Sequence, residues 1–123
     1  MSVRVFVVDD TAHVRKMLVQ MLELSGFEVV GQAASGQEAV DSVDEADPQV
    51  VVVDYKMPGI DGIATARLIK ANRPEQAIIL YTAYLDGELQ REAQEAGVSL
   101  CVGKVEGITT LERDIRRLAG ELF

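Results

Sequence analysis

The stretch Val50-Val51-Val52-Val53-Asp54 decides the fold of this chain. A second apolar run, Val5-Phe6-Val7-Val8, ends in Asp9 and Asp10. Continuous apolar runs rich in β-branched residues are typical of strands buried on both faces of a parallel sheet. Since the carboxyl ends of such strands meet at one edge of an open α/β sheet, three carboxylates are expected to converge there.

Three carboxylates close together at this edge of the sheet cannot all stay ionised unless a cation binds them or one of them takes up a proton. Mg²⁺ is a hard cation that prefers oxygen ligands, and we predict it as the cofactor, with Mn²⁺ as an alternative. Asp10 and Asp54 are expected to hold the ion directly. Asp9 is expected to act from the outer shell or through a water molecule.

Length and charge restrict the class of protein further. The 123 residues fit one domain, 1–123, and the net charge is −8. This acidity argues against binding of nucleic acid or of an anionic membrane by the domain. The single cysteine excludes an internal disulfide and is compatible with the cytoplasm, the expected localisation. We find no secretory leader and no apolar run of membrane-spanning length.

Apolar periodicity predicts five alternating strands and helices. The strands are predicted at 3–8, 27–33, 50–54, 77–81 and 99–103. Helix one follows Thr11 as N-cap, helix two opens at Gly36, helix four covers 86–96 and helix five begins near 108. Three predicted apolar faces are specific enough to test. They are Val14, Met17, Leu18, Met21 and Leu22 on helix one; Ile60, Ala64, Leu68 and Ala71 on helix three; and Ile108, Leu111, Ile115, Leu118, Ala119 and Leu122 on helix five.

This alternation predicts a doubly wound α/β fold with parallel strands and right-handed crossovers. Strand ends would then bring Thr82 and Lys104 to the edge that carries Asp54. A cation cage, a hydroxyl and an amine around one carboxylate fit phosphoryl transfer to an aspartate. Asp54 is the predicted nucleophile. Lys104 is a compact charge for one phosphoryl oxygen, and Thr82 donates to another.

The same residues carry a family resemblance that extends over essentially the whole chain. The most specific block is Asp-x-x-Met-Pro-x-x-Asp-Gly after the valine strand, at 54–62. The chain resembles the response-regulator receiver domains of two-component signalling. The matching segments are Val7-Val8-Asp9-Asp10, Val53-Asp54-Tyr55-Lys56-Met57-Pro58-Gly59-Ile60-Asp61-Gly62, Tyr81-Thr82-Ala83, Ala96-Gly97 and Gly103-Lys104.

The resemblance implies a flavodoxin-like (βα)5 fold with strand order 2-1-3-4-5. It implies that Asp54 accepts a phosphoryl group from a sensor histidine kinase or a phosphotransfer protein. The backbone carbonyl of Lys56 would complete the metal shell. Thr82 would turn inward and shift the face built from helix four, strand five and helix five.

That face would act on a downstream protein target or on a C-terminal effector domain, and a homodimer is a further expected partnership. Such a protein catalyses its own phosphorylation and slow dephosphorylation, but it is not a turnover enzyme. The resemblance also implies that Lys56 and Tyr84 occupy positions that tune the phosphate lifetime.

Two positions depart from the family pattern. Cys101 stands where an aromatic switch residue is usual, so Thr82 couples to the output face by another route or only weakly; Tyr84 is one substitute. Val105 follows Lys104 where a proline is usual. A non-proline cis bond costs about 3–4 kcal/mol, so we predict a trans peptide and a distinct 103–107 loop.

Three other function classes compete with this one. An aspartyl-phosphate hydrolase is disfavoured because position 56 is lysine rather than an acid. A nucleotide binder is disfavoured because the loop after strand one is acidic. A phosphorylation-independent interaction module stays open because of Cys101 and Val105.

Several side chains are given structural interpretations. His13 is expected to face solvent. Cys101 is expected to be a small buried hydrophobe, its thiol pKa raised by the carboxylates nearby. Arg113, Arg116 and Arg117 are expected to form a solvated face, with a dimer or partner interface as the alternative.

Overall fold

A computed structural model of the protein describes residues 2–120. Strands and helices alternate along the described chain, as predicted, and a short 3-10 turn precedes the last helix. The elements are β1 Arg4–Val8, α1 Ala12–Leu24, β2 Glu28–Ala33, α2 Gly36–Ala46, β3 Val50–Val53, α3 Gly62–Asn72, β4 Ala77–Thr82, α4 Gly87–Glu95, β5 Leu100–Gly103, the 3-10 turn Lys104–Glu106 and α5 Gly107–Leu118.

The strands form one parallel sheet with the order β2-β1-β3-β4-β5. This is the predicted flavodoxin-like arrangement, and it is confirmed. In the register, Val8 pairs with Val53 and Val53 pairs with Leu80. On the next strand, Thr82 pairs with Gly103. The strand ends that carry the candidate site residues are therefore aligned at one edge.

Alternate residues of the central strands enter two different apolar layers. Val51 and Val53 pack with α2, α3 and α4, whereas Val50 and Val52 pack with α1 and α5. All four β3 valines are at most 1% exposed. A strand covered on both faces has no polar side, which explains the uninterrupted valine run.

The buried face of α3 differs from the predicted one. Ile63, Ala66 and Ile69 are buried, whereas Leu68 is 43% exposed. The prediction of Ile60, Ala64, Leu68 and Ala71 as the inward face was wrong. Both sets follow helical spacing on a helix whose apolar residues are not confined to one face, so periodicity alone did not distinguish them. Packing against the sheet buries the set that begins at Ile63.

Two details of α1 were also only partly correct. Leu18 and Leu22 are buried as predicted, but Met17 is 55% exposed. Thr11 is the N-cap residue, yet its side chain makes no capping hydrogen bond. Instead, the Thr11 amide donates to the Asp9 carboxylate at 2.9 Å. Thr11 therefore helps to orient the site rather than to cap the helix.

The segment after β5 contains a trans peptide after Lys104, as predicted, since residues 2–120 include no cis bond. Residues Lys104–Glu106 form the 3-10 turn, and the Glu106 carboxylate accepts a hydrogen bond from the Gly103 amide at 2.9 Å. Val105 is 94% exposed. This hydrogen bond stabilises the 3-10 turn.

The buried face of α5 follows the prediction, with Leu111 and Ile115 fully enclosed. Leu122, the last member of that predicted face, lies outside the described residues. Within residues 2–120, none of the helices has the length and apolar character needed to cross a membrane.

Candidate functional site

The three candidate carboxylates meet at the carboxyl edge of the sheet. β1 and β3 are neighbours, and the Asp54 amide donates to the Val8 carbonyl at 3.0 Å. This pairing brings Asp54 beside Asp9 and Asp10. One carboxylate oxygen from each of the three lies within 4.8 Å of the others. The predicted convergence is therefore present.

Lys104 reaches the same cluster from the end of β5. Its Nζ lies 3.6 Å from Asp54 Oδ1 and 3.7 Å from Asp9 Oδ2. Charge-assisted N–H···O bonds are about 2.7–2.9 Å long, so these are looser electrostatic contacts. The ammonium partly compensates the negative charge of the cluster without being locked to one oxygen.

The environment of Asp54 favours the protonated form of its carboxyl group. Burial raises the pKa of Asp54 above its ordinary value, and Lys104 opposes this by lowering it. The neighbouring charges of Asp9 and Asp10 raise the pKa further, and the Tyr55 backbone amide lowers it. A partly buried carboxyl among like charges is typical of functional sites.

Thr82 ends β4 and is 1% exposed. Its Oγ1 accepts a hydrogen bond from the Tyr84 amide at 3.2 Å. This bond links the buried hydroxyl to the loop that leads into α4. Any change in the orientation of the Thr82 side chain therefore acts directly on that loop.

Sequence reasoning missed the side chain that supports Asp9. Arg15 Nη1 donates to the Asp9 carbonyl at 2.7 Å, and its Nε donates to Gln32 Oε1 at 3.1 Å. The Asp9 carboxylate in turn accepts from Thr11 through one oxygen and faces Lys104 with the other. The available signal was an arginine in the first turns of the helix that follows the acidic pair.

The turn between β3 and α3 is closed by a very near backbone approach. The Gly62 amide donates to the Tyr55 carbonyl at 2.7 Å. A Cβ at Gly62 would lie 2.3 Å from the Asp54 carbonyl oxygen. The preceding Asp61 caps α3 by accepting from the Ala64 amide at 2.8 Å. The close backbone approach next to Asp54 therefore accounts for glycine at position 62, and the capping of α3 accounts for aspartate at position 61.

The predicted tuning residues lie at the rim. Lys56 is exposed, and Tyr84 is 73% exposed. Cys101 is half-buried on β5, where it packs against the α2–α3–α4 layer. Its thiol pKa is raised as expected, but the cause is burial rather than nearby carboxylates, which corrects the prediction.

His13 and the three arginines of α5 were expected to face solvent, and all but Arg116 do so. His13 is exposed, as predicted. Arg113 and Arg117 are exposed, in line with a solvated face, and both lie near Asp114. Arg116 is a correction: it donates to the Ser25 carbonyl at 2.7 Å, and its guanidinium lies 4.3 Å from the Phe27 ring centroid. That side chain joins α5 to the end of α1.

The donor set fits a hard divalent cation. Three carboxylates close together supply the oxygen ligands that Mg²⁺ prefers, and one or two carboxylates are its usual protein ligands. The mutual repulsion of the carboxylates would be relieved by the ion. The predicted cofactor therefore agrees with the chemistry of the cluster.

A parallel (βα)5 sheet with acidic residues and a lysine at its carboxyl edge defines a receiver-type fold and site. The response regulator receiver domain family matches residues 5–116, and the chain belongs to that family. Receiver domains are signalling switches that interact with histidine kinases and output domains and bind Mg²⁺ at an acidic pocket.

The transcriptional regulatory protein PdtaR of Mycobacterium tuberculosis is 33% identical over 97% of this chain and 66% of that protein. The protein-glutamate methylesterase/protein-glutamine glutaminase 5 of Myxococcus xanthus is 38% identical over 98% of this chain and 34% of that protein. The response regulator domain of Thermotoga maritima CheB, a crystal structure, is 29% identical, has a TM-score of 0.88 and is covered over 97% of both chains.

The chain thus spans between 34% and 66% of the length of these two curated relatives. The shared part is the receiver domain. Their transcriptional and methylesterase activities are named for proteins that are longer than this chain.

Proposed function

We propose that this receiver domain, residues 1–123, is a phosphoacceptor switch in which Asp54 takes a phosphoryl group from a sensor histidine kinase or a phosphotransfer protein. The single observation that supports this best is the position of Asp54. Its side chain is 15% exposed and lies between two further carboxylates and a lysine 3.6 Å away. A site of this composition suits transfer of a highly charged group to a carboxylate.

The transfer forms one bond and breaks another. A carboxylate oxygen of Asp54 attacks the phosphorus of a phosphohistidine, so that a P–O bond forms while the P–N bond breaks. The departing imidazole keeps the electron pair and takes up a proton. Lys104 balances charge on one phosphoryl oxygen, and the Thr82 hydroxyl donates to another.

Mg²⁺, or Mn²⁺ in its place, would be held by Asp10 and Asp54 directly, by Asp9 from the outer shell or through water, and by the backbone carbonyl of Lys56. When bound, the ion supplies positive charge to the phosphoryl oxygens as negative charge redistributes in the transition state. The chain's own part is to hold the three carboxylates close together. Arg15 and Thr11 contribute by fixing the Asp9 backbone and carboxylate.

Switching would begin at Thr82. Turning its hydroxyl toward a phosphoryl oxygen gives up the bond from the Tyr84 amide, and the loop before α4 is released. The α4–β5–α5 face would then favour a second arrangement, because phosphate binds that state better. Exposed Lys56 and Tyr84 would tune access of water to the acyl phosphate, and Cys101 would transmit less of the change than an aromatic ring.

The partners follow from this role. The domain would act in the cytoplasm on a downstream protein target or on an effector domain joined to it, and it could form a homodimer. The protein would catalyse its own phosphorylation and slow dephosphorylation, without turning over a separate substrate. The acidic net charge of −8 argues that neither nucleic acid nor membrane binds this domain directly.

Intact-protein mass spectrometry after incubation with acetyl phosphate and Mg²⁺ tests the proposal. We expect a gain of one phosphoryl group in the wild type and none in Asp54→Asn. Asp41→Asn is the matched control, since it removes an exposed carboxylate on α2 and should leave the gain unchanged. Phosphate uptake by Asp54→Asn would place the acceptor at another residue.

A phosphorylation-independent interaction module is the second candidate. The observations in its favour are the small half-buried Cys101 and the exposed Val105 after Lys104. No phosphate gain in the wild type, together with retained Mg²⁺ binding, would favour this candidate. The domain would then act as a docking module with an assembled but idle site.

A further inference from the structure

Tyr81 lies one residue before Thr82 on β4, and its side chain is on the opposite face of the sheet. It packs with the layer formed by α1 and α5, together with Ile79 and Val102. The Lys104 Nζ lies 5.7 Å from the centroid of the Tyr81 ring. That distance is within the range of a cation–π contact, which extends to about 6 Å.

The ion pairs of Lys104 do not by themselves fix the position of its ammonium group, so a further contact is needed. The side chain is 28% exposed, and its distances to Asp9 and Asp54 exceed those of a hydrogen bond. A lysine ammonium sits on a flexible four-carbon stem and is strongly hydrated. Attraction to two carboxylates therefore leaves several positions open, including ones displaced toward solvent.

We propose that Tyr81 is a positioning residue for Lys104. Its ring keeps the ammonium group beside the cluster of Asp9, Asp10 and Asp54, where phosphoryl oxygens arrive. The inference rests on the proposed function, since it assigns a role in the same transfer. A charge that is already in place when negative charge develops needs no reorganisation, and this is how fixed electrostatics accelerates a reaction.

The ring, rather than the hydroxyl, performs this role. The Tyr81 hydroxyl makes no hydrogen bond with any residue of the described part of the chain. The face of the ring carries the negative side of the aromatic quadrupole, which phenylalanine also provides. Tyr81→Phe is consequently the conservative variant, and Tyr81→Leu removes the ring while keeping an apolar side chain.

The contact itself is tested by NMR on the unphosphorylated protein. In the wild type and in Tyr81→Phe, ring current should move the Lys104 ε-methylene protons upfield. In Tyr81→Leu, these protons should return to the shift of an exposed lysine. Unchanged Lys104 shifts in Tyr81→Leu, with a folded spectrum, would overturn the proposal, because the ring would then not lie over the ammonium.

The role is tested by a double-mutant cycle on the rate of phosphorylation by acetyl phosphate with Mg²⁺. Tyr81→Leu should slow the reaction by about two- to fivefold, and Tyr81→Phe should restore it. In a Lys104→Met background, Tyr81→Leu should have no further effect. A similar slowing in both backgrounds would assign Tyr81 a merely structural role and overturn the proposal.

The two ideas fail in different ways. If wild-type protein takes up no phosphate, the proposed function fails and the positioning role fails with it. If the wild type is phosphorylated and the cycle shows no coupling between Tyr81 and Lys104, only the positioning role fails.

Discussion

Asp54 combines two properties that oppose each other. In the proposed function it must be ionised to act as a nucleophile and metal ligand, yet burial and the charges of Asp9 and Asp10 raise its pKa. Lys104 supplies the compensating charge within the domain. Burial and the two neighbouring carboxylates therefore make the ionised form of Asp54 unfavourable, and a bound cation would relieve this.

A stability measurement checks this balance at the residue scale. A carboxyl whose folded pKa lies above its unfolded value binds its proton more tightly in the folded state. Its contribution to stability is therefore lost as the pH rises from the ordinary value of 3.8 through the raised folded value. Replacing the carboxylate with a neutral amide should remove this loss.

We thus expect Asp54→Asn to be more stable than the wild type near pH 7, with a smaller difference near pH 4. Urea unfolding at both pH values, with EDTA present to remove divalent ions, measures the difference in free energy of unfolding. Asp41→Asn, which removes an exposed carboxylate on α2, is the control. A stabilisation of Asp54→Asn that is equal at both pH values would contradict the assigned cause.

At the scale of single elements, the start of α3 fixes the shape of the site. Gly62 lets the helix begin directly against the backbone of Asp54 and Tyr55. Asp61 stabilises the same end by capping it. The distance between the end of β3 and the start of α3 therefore depends on a missing Cβ.

Gly62→Ala should destabilise the protein by about 1–3 kcal/mol, because the new Cβ meets backbone atoms that cannot rotate away. Gly87→Ala is the matched control. Gly87 also begins a helix, α4, but no atom lies within 4 Å of its Cβ position. We expect that variant to be neutral or slightly stabilised.

Urea denaturation compares the two variants under the same conditions. Equal stability of Gly62→Ala and the wild type would mean that the turn after Asp54 relaxes without cost. In that case the close approach would not constrain the position of Asp54, the proposed phosphoacceptor.

At the scale of the whole molecule, the site joins distant parts of the chain. The carboxylates come from the ends of β1 and β3, and Lys104 follows β5. These strands also separate the two apolar layers. A ligand that binds the strand ends binds only the folded state, so it should stabilise the whole domain.

Mg²⁺ should therefore raise the melting temperature relative to EDTA. At about 100 times the dissociation constant, the gain is about 2.7 kcal/mol, which corresponds to a shift of about 10 °C for a domain of this size. Asp10→Asn should lose most of this shift, whereas Asp41→Asn should keep it. Circular dichroism melts of the three proteins measure the effect, and an equal shift in Asp10→Asn would place the ion elsewhere.

The sequence by itself determined the fold class and most of the site. Two runs of β-branched residues that end in aspartates are sufficient to predict buried parallel strands, and parallel strands deliver their carboxyl ends to one edge. The alignment of Asp9, Asp10, Asp54 and Lys104 follows from those local patterns. Continuous apolar runs and helical periodicity are local signals, which is why they could be recognised in the sequence.

Only the tertiary structure decided which of two equivalent helix faces is buried and which side chains support the site. The face of α3 depends on the packing surface offered by the sheet, since both sets of residues have helical spacing. The contacts that Arg15, Glu106 and Tyr81 make with the site and its flanking turn depend on where the ends of these long side chains lie. Those endpoints are set by contacts between elements, and residue spacing along the chain does not encode them.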